Sequence, residues 1–309
     1  MIATVTPNVA LDKTYLLSGF NRQGVHRVEL AALLPAGKGV NVARVLNQLQ
    51  VPVICTGVVA GYTGQHICAL LKEADVQHDF VWTRGESRQC LTLLEPGTDL
   101  HCEILEPGPA YTPELSRALI EKARRLARES DYVVIAGNPP PGTDPNLLKQ
   151  LVQAARESCS RVVLDAHGIW LYHAIAARPH IIKPNWQEFQ ELTGPCPDNL
   201  AAVARAKPLL AAGIELVLIS QGAAGALAVT LDCAWQITPP QVQAVSAVGC
   251  GDAMVGGLVA SLTHKEPLQT ALRFATAVAT ANTLVPGAGI FTHTDATRLY
   301  AEVQVEQLA

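Results

Sequence analysis

Short runs of aliphatic and β-branched residues alternate along the chain with stretches whose apolar positions recur at helical spacing. Ile2 to Thr6, Val53 to Val59, Tyr132 to Ala136, Arg161 to Asp165, His180 to Lys183 and Glu215 to Ser220 are runs of the first kind. They show little polar alternation, as strands covered on both faces do. Val40 to Leu49, Gln65 to Ala74, Pro113 to Glu129, Pro145 to Glu157 and Asn199 to Ala212 carry the helical spacing. This rhythm predicts an α/β fold, a mainly parallel sheet sandwiched by helices. Ligands on such sheets bind beyond the carboxyl ends of the strands.

Two segments, roughly 11–35 and 78–106, break the rhythm and read as short strands joined by turns. Their natural place is a small β-sheet lid, built from two insertions and able to exclude water from the crevice. No repeat, low-complexity segment or linker divides the chain, so one domain over residues 1–309 is expected.

Composition narrows the function classes. With 309 residues, 49% of them hydrophobic and 16% charged, the chain can bury the core of an ordinary enzyme. A net charge of -4 without a basic run argues against a nucleic-acid interface. The eight cysteines form no CxxC pair, and no His pair completes a zinc pattern. Scattered thiols suit a reducing compartment. The start lacks the pattern of a signal peptide, and the apolar stretch Ala253 to Leu262 is too short for a bilayer. A cytoplasmic protein with no membrane partner is expected.

Several glycine-rich motifs could carry chemistry. In Val248-Gly249-Cys250-Gly251-Asp252-Ala253, glycines precede a helical pattern. Glycine lets the backbone turn sharply, and amides at a helix N-terminus attract anions. Asp252 would sit beside that anion, unless it is simply a helix cap. In Ala36-Gly37-Lys38-Gly39-Val40-Asn41, two glycines bracket a mobile cation, and Asn41 could bond a sugar hydroxyl or merely cap a helix. Lys183-Pro184-Asn185-Trp186-Gln187-Glu188 spells a capping box and equally a magnesium site reached through water. Ser220-Gln221-Gly222-Ala223-Ala224-Gly225 could touch nucleotide phosphates or be a plain turn. Asn8 and Asp12 flank the first strand's end, while Arg27 and Arg88 lie in the two lid segments.

Taken together and in this order, these motifs resemble the PfkB or ribokinase-like carbohydrate kinases, over essentially the whole chain. The segment Ala36 to Ala43 is most similar to the 1-phosphofructokinase and tagatose-6-phosphate kinase branch. The resemblance implies a Rossmann-like body with a β-sheet lid, ATP, Mg²⁺, and phosphoryl transfer to a phosphorylated ketohexose. It makes Asp252 the catalytic base and the backbone amides of Gly249, Cys250, Gly251 and Asp252 an anion hole. It assigns Lys183, Asn185 and Glu188 to ATP and magnesium, with Ser220, Gly222 and Gly225 on the nucleotide side. Asp12, Gly37, Lys38 and Asn41 match sugar-binding positions, and Arg27 and Arg88 match lid positions that reach a substrate phosphate. A monovalent cation near Ser246 and Val248 and a homodimer formed through the lid follow from the same likeness and from exposed lid edges.

Two departures stand out. Cys250 replaces the usual Ala of the anion-hole loop, and Asn138 stands where a serine near the substrate phosphate is more usual. The sugar therefore stays open: tagatose 6-phosphate, fructose 6-phosphate, or an unphosphorylated sugar or nucleoside are alternatives to a 1-phosphofructokinase substrate. A non-catalytic sugar-phosphate sensor is disfavoured because Asp252, the glycine loop and Glu188 are all intact. An ordinary Asp, with a pKa of about 3.9, serves as base only if proton transfer is late.

Overall fold

A computed structural model describes residues 1–21, 23–95, 97–98, 101–158 and 160–308, with only the backbone of His101. Among the described residues eleven strands form one sheet. Ile2–Thr6 lies inside it, paired in parallel with Val53–Ala60 on one side and Tyr132–Ala136 on the other. Parallel pairing continues through Arg161–Asp165, Ile181–Ile182 and Leu216–Ser220. The short strands Gln77–His78 and Val81–Thr83 extend the opposite side.

Beyond Leu216–Ser220 the sheet turns antiparallel through Ala226–Val229, Ala234–Thr238 and Gln304–Gln307. Tight turns can join antiparallel neighbours, whereas parallel strands need a long crossover. The sequence reading did not pick these strands out, since Ala or Gln interrupts the β-branched run in each.

Alternate residues of each buried strand feed opposite cores, because successive side chains point to opposite faces. Val134 and Ala136 join one core, packed with helices Lys38–Gln48, Cys250–Thr263 and Leu268–Asn282. Val133 and Ile135 join the other, with Pro113–Ala127, Leu147–Glu157 and Asn199–Ala211. All five helices expected from the spacing are present, Gly61–Glu73 being the fifth.

Glycines set how closely the helices around the site approach. A Cβ on Gly256 would lie 2.5 Å from Val45 Cγ1, and one on Gly257 would lie 3.0 Å from the Ala275 Cα. Helix Cys250–Thr263 is therefore pressed against both Lys38–Gln48 and Leu268–Asn282. Its first turn and that of Lys38–Gln48 reach the same cleft.

The two segments that break the βαβ rhythm supply a separate four-stranded sheet, in the order Glu29–Ala36, Ala10–Leu16, Arg88–Leu94, His101–Leu105, but the start of the second, His78 and Val81–Thr83, belongs to the main sheet instead. Among the described residues no helix is long and apolar enough to cross a membrane. The described cysteines are free thiols.

Candidate active site

A cleft of about 380 Å³ lies between the small sheet and the carboxyl edge of the main one. Thirteen residues singled out in the sequence line it: Asp12, Gly37, Lys38, Asn41, Arg88, Lys183, Asn185, Glu188, Ser220, Val248, Gly249, Gly251 and Asp252.

Asp252 enters from the first turn of helix Cys250–Thr263. It is not the cap: Gly249 occupies that position with φ 78°, and no side chain bonds the turn. Only glycine fits there, because a Cβ would come within 2.5 Å of the Ala288 Cβ. The N–H groups of Gly251 and Asp252 fall in the first turn, where no intrahelical carbonyl reaches them. The Cys250 N–H is partly engaged by the Ala247 carbonyl at 3.3 Å.

Asp252 is 5% exposed, and its Oδ2 accepts a 2.7 Å bond from Asn41 Nδ2. Burial pushes its carboxyl up to about 7, although Lys38, Lys183 and the Asn41 bond all favour the charged form. The ordinary value assumed from the sequence is thus corrected, because the carboxyl is out of water. A base poised near the working pH is better matched to proton transfer than one near 4.

Lys38 is not the mobile cation its glycine neighbours suggested. The helix begins at Lys38 itself, with Gly37 as cap at φ 103°, and Lys38 Nζ bonds Asp165 Oδ1 at 2.8 Å. Lys183 Nζ lies 3.2 Å from Asp165 Oδ2. Asp165, 1% exposed, thus joins the two ammonium groups. Burial alone would raise its carboxyl; Lys183 and Lys38 overcome that and hold it below the usual range. Asp165 was not singled out in the sequence, although an acidic residue ending a buried strand was the available signal.

The small sheet contributes alternate residues to the cleft. Arg88, Cys90 and Thr92 share one face of their strand, and Asp12 stands opposite Cys90 in register. Glu103 and Leu105 line the cleft from the next strand; none of Thr92, Glu103 and Leu105 was singled out in the sequence. Burial lifts the Asp12 carboxyl to about 6, with Arg88, a Cys90 hydrogen bond and Arg44 pulling the other way. The Arg88 Nε is buried without a partner among the described residues.

Asn185 and Glu188 form the capping box: Asn185 Oδ1 accepts from Glu188 N at 2.8 Å, and Glu188 Oε2 accepts from Asn185 N at 2.7 Å. Glu188 Oε1 lies 3.9 Å from His167 Nδ1. Among the described residues no group of three His, Cys, Asp or Glu side chains could hold a metal ion. One carboxylate suffices for magnesium, which keeps several waters and arrives on substrate phosphates. Glu188 fits such a role; the Asn185 carbonyl, spent on the cap, fits it less well. Beside them, Trp186, Gln187, Gln221, Gly222 and Ala224 line an open groove that shares Asn185 and Ser220 with the cleft.

Arg27, Asn138, Cys250 and Gly225 stand away from the cleft lining, as do Asn8 and Ser246, and Gly222 lines only the neighbouring groove. Arg27 is exposed on the loop before Glu29–Ala36. Asn138 exchanges two 3.2 Å bonds with the His167 backbone, so its amide is already paired. The Cys250 thiol faces Asn282, and burial raises it to about 11. Gly225 makes the turn into Ala226–Val229, with φ 95° and the Ile237 carbonyl 1.9 Å from where a Cβ would sit.

A family model described as pfkB family carbohydrate kinase matches residues 6–295. Two structures of phosphofructokinase-2 from Escherichia coli, in complex with potassium and with fructose-6-phosphate, are 29% identical to the chain. Each covers 97% of this chain and 98% of its own, at TM-scores of 0.90 and 0.89 respectively. A possible 1-phosphofructokinase of Thermotoga maritima, 22% identical with 100% of each chain covered, shares the fold at a TM-score of 0.87. With the match running almost from end to end, the chain belongs to the pfkB family of carbohydrate kinases.

Proposed function

We propose that this sugar kinase transfers the γ-phosphoryl group of ATP to a hydroxyl of a phosphorylated ketohexose, in the manner of a 1-phosphofructokinase. The observation that carries this reading is Asp252, a buried carboxyl near neutral pKa, pinned by Asn41 at a glycine-capped helix start. With Oδ2 held by Asn41, Oδ1 is left to orient the sugar hydroxyl. As the new O–P bond forms, the bond from γ-phosphorus to its bridging oxygen breaks and ADP leaves with the electron pair. The hydroxyl proton passes to Asp252. The amides of Gly249, Gly251 and Asp252 face the charge on the transferring group, where one such donor is worth about 10²–10³ in rate. Lys183, beside Gly251, adds a fixed positive charge. Magnesium held through water by Glu188 would neutralise phosphate charge.

Arg88, and Lys38 beyond it, support a phosphorylated substrate, because a neutral sugar has no use for converging cations. Asp12 and Asn41 would bond its hydroxyls. A second reading, 6-phosphofructokinase activity, draws on the Escherichia coli relative solved with fructose-6-phosphate. The potassium in another structure of that relative supports a monovalent cation near Ser246 and Val248 here. We place the protein in a reducing compartment such as the cytoplasm, on the strength of its free thiols.

The small sheet also carries exposed apolar side chains, Leu30, Ile104 and Leu105 among them. Such surface supports a homodimer formed through the lid, and the Escherichia coli relative has a tetrameric inhibited form.

Measured ADP release over fructose 1-phosphate, fructose 6-phosphate, tagatose 6-phosphate and free ketohexoses tests the substrate class. The proposal expects kcat/KM at least about 10-fold higher for a phosphorylated ketohexose, the smaller worth of one charge-assisted contact. Preference for fructose 6-phosphate would favour the second reading, and preference for a free ketohexose would overturn both.

A further inference from the structure

We infer that Asn282 holds the anion-binding turn 248–250 in shape and so acts as a positioning residue for phosphoryl transfer. This rests on the reaction proposed above. Asn282 ends helix Leu268–Asn282, and none of its surface is exposed. Its Nδ2 donates to the Val248 carbonyl at 2.9 Å and approaches the Cys250 Sγ at 3.6 Å. Its Oδ1 accepts from the Ile290 N–H at 3.2 Å. One end meets a carbonyl and the other an N–H, so both ends of the amide are used and its orientation is dictated.

Of the two backbones it joins, the turn at Val248 and Gly249 lines the cleft, and loop 286–290 packs behind it. Gly249, the left-handed cap, presses on loop 286–290: a Cβ there would meet Ala288 at 2.5 Å and the Gly289 nitrogen at 2.9 Å. That loop is tied down from the far side as well. Arg44 Nη1 donates to the Ala288 carbonyl and Gln48 Nε2 to the Gly289 carbonyl, each at 2.8 Å. Both donors come from helix Lys38–Gln48, the helix that presents Asn41 to Asp252. Turn, loop and the helix bearing Asn41 thus form one frame, and among the described residues Asn282 is the side chain that bonds turn to loop directly.

Asn282 is the last residue of its helix, and its amide hydrogen bonds go outside that helix, to the turn and to the loop. Asn282 is absent from the residues lining the cleft, so any effect it has on turnover must pass through the position of the amides. The proposed sugar contacts, Asp12, Arg88, Lys38 and Asn41, stand on other elements. Loss of Asn282 should therefore separate chemistry from binding. A misplacement of about 1 Å in a catalytic group costs roughly 10² in rate.

The test compares wild type with Asn282→Ala and with Asn282→Asp, which keeps the shape and loses the amide donor. Steady-state kinetics for ATP and the preferred sugar phosphate are normalised to folded protein by nucleotide-binding stoichiometry. We expect kcat to fall about 10–100-fold in both variants, with both KM values within about twofold of wild type and stoichiometric nucleotide binding. A kcat per folded site within about twofold of wild type would overturn the inference, as would failure of both variants to fold, which would mark a packing residue only. A wild-type enzyme that turns over no sugar phosphate would instead defeat the reaction on which the inference rests.

Discussion

Asn41 and Asp252, separated by 211 positions in the chain, meet through a 2.7 Å hydrogen bond from Nδ2 to Oδ2. Each sits in the first turn of its own helix, and the two helices are held together where Gly256 admits Val45. The bond fixes the carboxylate's orientation without neutralising it. What burial does to its charge is therefore open to measurement.

The carboxyl of Asp252 stands near pKa 7 because it is buried. A base must shed its proton to act, so kcat/KM for the sugar phosphate should rise with pH and level off above about 7. An unperturbed Asp would place that bend near about 4. The same shift reaches stability. Between the ordinary value of 3.8 and about 7 the native state holds a proton that the unfolded chain has lost. Stability contributed by this group therefore falls as pH rises through that window. Asp252→Asn should raise the melting temperature at pH 8 relative to wild type, and do so less at pH 5, as read by thermal scans at the two pH values.

Arg88 lines the cleft from the small sheet with its Nε unpartnered among the described residues. Arg88→Ala should raise KM for a phosphorylated ketohexose about 10–100-fold, the worth of a charge-assisted contact. KM for the free sugar should stay unchanged. Equal losses on both substrates would place Arg88 in the folding of the sheet and not in phosphate recognition.

Asp165 balances Lys38 and Lys183 at a site 1% exposed. Removing one partner of such a buried group leaves charge uncompensated, at a cost of about 3–5 kcal/mol. Lys38 keeps some contact with water, so Asp165→Asn belongs at the lower end, about 3 kcal/mol. Urea unfolding near neutral pH reads this as a lower midpoint with the slope unchanged.

Ile104 is 52% exposed on the outer strand of the small sheet. If that sheet joins two copies, Ile104→Glu should shift the mass measured by light scattering from dimer to monomer at micromolar concentration. A wild-type protein that is monomeric under the same conditions would remove this interface.

Much of the fold was legible because buried parallel strands are continuous apolar runs and their crossover helices keep strict spacing. Ile2–Thr6 and Tyr132–Ala136 stand where the sequence put them. The antiparallel end was not legible: Ala226–Val229 and Gln304–Gln307 are four residues each, paired with partners the local pattern does not announce. In the site, glycine cues led to Gly37, Gly249 and Asp252, because a glycine cap leaves a local mark. Asn282 leaves none, and Asp165 leaves only an acidic residue at the end of a buried strand. Each is a single polar residue at the end of an apolar run, and its importance comes from partners far away in the chain. Lys38 misled for the same reason, since its pairing with Asp165 spans 127 positions.

The most direct test of the central claim is turnover by Asp252→Asn with ATP and its preferred sugar phosphate, beside nucleotide binding by calorimetry. A general base is worth about 10²–10⁴, so kcat should fall by at least about 10² with ATP affinity nearly unchanged. Turnover close to that of wild type would contradict the account.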